Sequence, residues 1–127
     1  MRTQEVGRWG EEVATAHLVA QGYAIVERNW KLGHYEIDII AQKDEYIIFA
    51  EVKTRENDNT DPVDAVNTRK RNHMIASANA YLHKFNIPFE YRFDIIAITG
   101  VPGNFKLEHI PDAFVPQLKR YNYSFRL

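Results

Sequence analysis

From Glu5 to Gln21, apolar residues return every third or fourth position, at Trp9, Val13, Ala16 and Ala20, and Gly22 follows directly. This spacing predicts a helix that stops near Gly22, a residue suited to the left-handed backbone that closes helices. The pattern then changes to short runs of β-formers. "YAIVERNW" reads as a strand ended by the turn "KLGH", and "YEIDIIA" and "YIIFAEVKT" read as two more strands joined by the polar "QKDE", the signature of a hairpin. "RENDNTDP" is a polar loop in which Asp61 or Asp64 is placed to cap the next helix. That helix is expected from about Val63 to Phe85, with Met74, Ala78, Tyr81, Leu82 and Phe85 on its apolar face. "YRFDIIAIT", the turn "GVPGN" and "FKLEHI" supply a fourth and a fifth strand. The order α, β, β, β, α, β, β predicts an α/β protein with a mixed sheet flanked by helices. With no repeat or linker to mark a boundary, residues 1–127 form a single expected domain.

The hairpin carries acids where a core strand is expected to be apolar. Alternation places Glu36, Asp38 and Ile40 on one face of the first strand, and Ile47, Phe49, Glu51 and Lys53 on one face of the second. A connection centred on Lys43 and Asp44 pairs Asp38 with Phe49 and sets Asp38 diagonal to Glu51, whereas an odd-numbered loop separates the faces. Two carboxylates about 4 Å apart repel by about 4 kcal/mol at an effective dielectric near 20. Such a pair therefore needs a shared proton or a cation between its members. Hard oxygen ligands favour Mg²⁺ or Mn²⁺ over a structural zinc. Lys53, two residues from Glu51 and on the same face, is placed to offset charge on a phosphoryl oxygen, a combination suited to phosphodiester hydrolysis. The competing reading is a surface cross-strand ion pair.

Composition narrows the chemistry further. Apolar residues make up 45% and charged residues 26% of the chain, the balance of an ordinary globular protein. The absence of cysteine excludes disulfides, thiolate metal sites and cysteine nucleophiles. No apolar run is long enough to span a bilayer, and the N-terminus lacks the apolar stretch of a secretory signal, so a cytoplasmic location and no membrane partner are expected. The formal net charge of −1 exerts no global pull on nucleic acid. Any such surface is local, with candidates in Arg69, Lys70, Arg71 and His73 of "TRKRNH" and in Lys119, Arg120 and Arg126. A solvated helix face and a basic tail are the plainer account of the same residues. The five histidines show no HExxH or paired zinc spacing, and no GxSxG or Walker sequence occurs.

Asp38 thirteen residues before "EVK" at Glu51 to Lys53, on adjacent expected strands, resembles the PD-(D/E)xK nuclease superfamily, which includes the archaeal Holliday-junction resolvases. "GEEVATAHLVAQGYAIVERNW", "EIDIIA", "FAEVKTR" and "RFDIIAI" together look like the YraN-type family of small, uncharacterised bacterial proteins similar to those resolvases. The likeness runs from Val6 to Ile98. It implies a restriction-endonuclease-like core of αβββαβ order, with Asp38 and Glu51 as ligands of Mg²⁺ or Mn²⁺ and Lys53 as the catalytic lysine. Glu11 matches the "GE" of the family's opening motif and is implied as a third acid, while a helix N-terminal charge favoured by the macrodipole is the alternative. Lys70 and Arg71 match basic positions at the start of the family's second helix, and with Arg55 they are the implied DNA contacts. Asp94 of "RFD" also matches, with a structural role equally open. The family pattern before the aspartate is "GEIDLI"; "HYEIDII" replaces its glycine with the bulkier Tyr35.

The expected function is a metal-dependent DNA endonuclease, with branched DNA among its candidate substrates. The alternative is a non-catalytic nucleic-acid-binding or assembly module on the same fold. A third reading is a protein-binding scaffold that uses the aromatic tail "YNYSF". Cutting both strands of a symmetric junction takes two active sites, which a twofold homodimer would supply.

Overall fold

A computed structural model describes residues 2–116. Lys119, Arg120, Arg126 and the "YNYSF" segment lie outside the described residues. The elements are α1 (Thr3–Ala20), β1 (Ala24–Leu32), β2 (Tyr35–Lys43), β3 (Tyr46–Arg55), α2 (Pro62–Ala65), α3 (Thr68–Phe85), β4 (Glu90–Val101) and β5 (Asn104–Phe114). The strands form a single five-stranded sheet in the order β1-β2-β3-β4-β5. β3 and β4 are parallel, joined across the sheet by α2 and α3, and the other three pairings are antiparallel. This is the mixed α/β architecture that the hydrophobic pattern predicts.

The central strands are apolar at consecutive positions because both faces of the sheet are covered. Ile40, Phe49, Phe93 and Ile95 pack under Met74, Ala78 and Tyr81 of α3. Their neighbours Ile39, Ile48 and Ile96, with Ile98, turn the other way and pack with Ala14 and Leu18 of α1. Burying both faces removes the polar alternation that a one-sided sheet shows.

Two helix details differ from the sequence pattern. The buried face of α1 is Gly10, Ala14 and Leu18, with Trp9 and Val13 beside it, while Ala16 and Ala20 are exposed. A glycine makes this contact by having no side chain, which an apolar-residue count does not register. A Cβ on Gly10 would stand 2.2 Å from Thr54 Cγ2 of β3. The helix expected from Val63 to Phe85 is in fact two helices. Asp61 caps α2 by accepting from the Val63 N–H at 2.9 Å, and buried Val66 is extended at the break. Asn67 then caps α3, accepting from the Lys70 N–H at 2.9 Å.

The hairpin register is also shifted. Lys43 pairs with Tyr46 and Ile39 with Ala50, so the loop is Asp44–Glu45, with Asp44 at a φ of 55°. The centre lies one residue later than Lys43–Asp44, and every partner moves by two. Parity survives this shift, but the expected Asp38–Phe49 pair does not form, and Phe49 pairs with Ile40.

Candidate active site

Beyond the Ile39–Ala50 pair, β2 and β3 part, and Asp38 and Glu51 are the next residue on each strand. Asp38 bridges the opening with its side chain: Oδ2 accepts from the Val52 N–H at 2.9 Å. This bond takes the place of a ladder bond and holds the carboxylate beside Glu51. β3 continues through the gap because it stays paired to β4 as far as Arg55–Thr99. The acids therefore sit where one strand leaves the sheet, on a backbone fixed from the opposite side.

Glu51 is nearly buried, with its side chain 12% exposed. Burial, the Asp38 charge and a hydrogen bond shared with Asp38 push its pKa up to about 8, against the pull of Lys70. Burial and the Asp38 charge thus favour a proton on Glu51 while the two acids stand without a cation between them. The ammonium of Lys70, on the first turn of α3, lies 3.4 Å from Glu51 Oε2. Lys70 is thus drawn into the acid site itself. Lys53 follows Glu51 on the same face of β3 and is exposed, with no ion-pair partner among the described residues.

Glu11 approaches from α1. Burial and the Asp38 charge raise its pKa, and a hydrogen bond from Asn29 opposes them. It lines an open depression of 710 Å³ with Asn29, Arg28 and Lys31. Among the described residues, no three Asp, Glu or His side chains converge into a metal-holding group. The site is a pair of carboxylates with a third within electrostatic range.

Two other basic candidates, Arg71 and Arg55, are engaged by the fold. Arg71 donates from Nε to the Val66 carbonyl at 2.7 Å and from Nη2 to the Val63 carbonyl at 2.6 Å, and it lies over the Phe114 ring. It ties α2 to α3. Arg55 donates from Nε to Thr99 Oγ1 at 3.0 Å and from Nη1 to the Thr60 carbonyl, pinning the loop after β3.

Asp94 is fully buried on the α1 face. It accepts from Arg92 at 2.9 and 3.0 Å and from the Asp112 N–H at 3.0 Å, and it meets His109 Nε2 at 2.7 Å. Burial alone would raise its pKa; the bonds from His109, Arg92 and Asp112 outweigh that and hold it below the usual carboxylate range. The Asp112 bond fills a bulge between β4 and β5. These contacts give Asp94 a structural role, apart from the Asp38–Glu51 pair.

Comparison with known proteins gives the lineage. The profile of the family described as "Uncharacterised protein family UPF0102" matches residues 10–98. A UPF0102 protein of Bacteroides thetaiotaomicron is 44% identical over 90% of this chain and 95% of its own length. One from Phocaeicola vulgatus is 45% identical over 90% of the chain and 95% of its own length, and one from the distant Dictyoglomus turgidum is 40% identical over 90% and 100%. The chain belongs to the UPF0102 family. This is the YraN-type family that the sequence blocks resemble.

In this UPF0102 chain, two contributors to the site were not anticipated from sequence. Asn29 lies within β1 at a φ of 52°, and its side chain hydrogen-bonds Glu11. An Asn among β-formers in "ERNW" is the signal that marks it, since Asn tolerates the left-handed region. The Lys70–Glu51 pair spans nineteen residues and two elements, and local spacing does not encode it.

Proposed function

We propose that this UPF0102 protein is a metal-dependent endonuclease that hydrolyses phosphodiester bonds in DNA, on a restriction-endonuclease-like core. The observation that carries the reading is the Asp38–Glu51 pair, two carboxylates at the point where β2 and β3 diverge, close enough for the Asp38 charge to raise the Glu51 pKa. Burial and the Asp38 charge both disfavour the Glu51 carboxylate, and a cation held between the two acids would offset both. An all-oxygen donor set fits Mg²⁺ or Mn²⁺. Asp38 and Glu51 would hold the ion, with Glu11 adding negative potential from the α1 side. Bound there, it would supply Lewis acidity and lower the pKa of a water.

The chain's own groups account for the rest of the chemistry. The exposed Lys53, two residues along β3 from Glu51 and on the same face, is suited to offset charge on a phosphoryl oxygen. The Lys70 ammonium, 3.4 Å from Glu51 Oε2, is a second cation placed to meet a phosphate at the site. The placement of the two acids and Lys53 on the second and third strands of an αβββαβ order supports the restriction-endonuclease-like assignment. Branched DNA is the proposed substrate, and a twofold homodimer would present two sites to a symmetric junction.

One observation favours a second reading, a nucleic-acid-binding or assembly module without catalysis. A lysine ammonium already lies 3.4 Å from Glu51, and no three metal-ligating side chains gather among the described residues. Cleavage assays separate the two. Labelled linear, nicked, flapped and four-way DNA would be incubated with Mg²⁺ or Mn²⁺ and either native protein or identically purified Glu51→Ala. The enzyme reading expects cleavage by the native chain and none by the variant. Equal cleavage by both preparations, or none by either folded protein, overturns it in favour of the module.

A further inference from the structure

One helical turn along α3 from Lys70, the surface changes from charged to aromatic. His73 lies there, facing His34 and Tyr35 at the β1–β2 turn. The His34 and Tyr35 ring centroids are 4.4 Å apart, and His73 lies 6.3 Å from His34 and 6.4 Å from Tyr35. The three planes are mutually tilted by 35° to 39°, so no ring stands edge-on to another. Tyr35 is anchored beneath by the core under α3, while His34 is exposed. His73 also lines an open cleft of 480 Å³ with Asn67, Arg69 and Lys70.

Lys70 joins this cleft to Glu51, 3.4 Å away, and His73 joins it to the His34–Tyr35 pair one turn along α3. A helical turn rises about 5.4 Å, between one and two base steps at about 3.4 Å each. The attraction comes from side chains, because Asn67 already satisfies the Lys70 and Arg71 amides. Phosphate beside π-faces is the chemistry of a nucleic-acid strand with its bases free, since bases in a duplex are already stacked.

We propose that His34, Tyr35 and His73 form a stacking shelf for an unpaired base beside the acid pair, so that the site takes single-stranded segments and branch points in DNA rather than uninterrupted duplex. The proposal rests on the reading of Asp38 and Glu51 as a phosphodiester site and names the form of DNA that this site selects. Tyr35, where the family pattern has glycine, makes the shelf a feature of this chain.

Fluorescence anisotropy in EDTA tests it without cleavage. The probes are a labelled oligothymidylate, a strand of the same length made of abasic residues, and the oligothymidylate annealed to its complement. The native protein is expected to bind the base-bearing single strand about tenfold more tightly than the abasic strand, and more tightly than the duplex. Combined His34→Ala and His73→Ala should bring the thymidylate and abasic affinities close together, whereas Tyr35→Phe should keep the preference. Equal affinity of native protein for thymidylate and abasic strands, no binding to either, tighter binding of duplex, or a preference untouched by the histidine substitutions each overturns the shelf. A base preference in a protein that cuts nothing defeats the nuclease reading and leaves the shelf. Cleavage without a base preference does the reverse.

Discussion

At Glu51, burial, a neighbouring carboxylate and an ammonium act on the same proton, and the first two prevail. The acid residues of the site were legible in the sequence because carboxylates in a both-faces-buried strand contradict the surrounding apolar pattern. The role of Lys70 was not, since it depends on how α3 lies over β3. The raised Glu51 pKa sets the sign of a pH effect. An unfolded glutamate loses its proton near 4.5, while the folded one keeps it to about 8. Between those values the folded state binds more protons, so its stability falls as pH rises. Glu51→Gln has no proton to lose. It is expected to match the native protein near pH 5 and to exceed it by a few kcal/mol, as an order of magnitude, by about pH 8. Thermal melts of both proteins across that range check this. A gap that fails to widen with pH shows that Glu51 is ionised in the fold.

Among the elements, α1 and the β2–β3 hairpin decide where the acids stand. Strand identities and order were readable from β-former runs and their polar interruptions. The hairpin centre was not, because "QKDE" offers four polar residues and only the middle of "KDEY" makes the turn. The break after α2 was hidden for a related reason: Val66 continues the apolar period while its backbone leaves the helix. Gly10 is the clearest case of an element placed by the absence of atoms. It lets α1 settle on β3 one residue before Glu11. Gly10→Ala gains about 1 kcal/mol of helix propensity but drives a methyl group into Thr54, an overpacking that costs about 1–3 kcal/mol. The expected net loss is about 1 kcal/mol in urea unfolding, with Thr54→Ser, which deletes the clashing Cγ2, removing most of it. If the loss is the same in both backgrounds, α1 is not seated by this contact.

Across the whole molecule, the positive charge free to meet a polyanion is smaller than the count of basic residues implies. The sequence shows 16 Lys and Arg against 17 Asp and Glu, and the fold withdraws several of the cations nearest the site. Arg55 and Arg71 are spent on carbonyls and Thr99, and Arg92 is paired to Asp94. No sequence pattern separates Arg55 and Arg71 from surface arginines, because the backbone carbonyls and the Thr99 hydroxyl that they bond are brought near by folding. Lys53, Arg69 and Lys70 are left around the acid pair. Each phosphate neutralised on a single strand contributes about 0.7 to the slope of log affinity against log salt. Three contacts therefore predict a slope near −2, with Arg69→Ala reducing its magnitude by about 0.7 and Arg71→Ala leaving it unchanged at equal folded fraction. Anisotropy titrations of the oligothymidylate at several salt concentrations measure all three values. A native slope several-fold steeper would move the principal DNA contact away from this site.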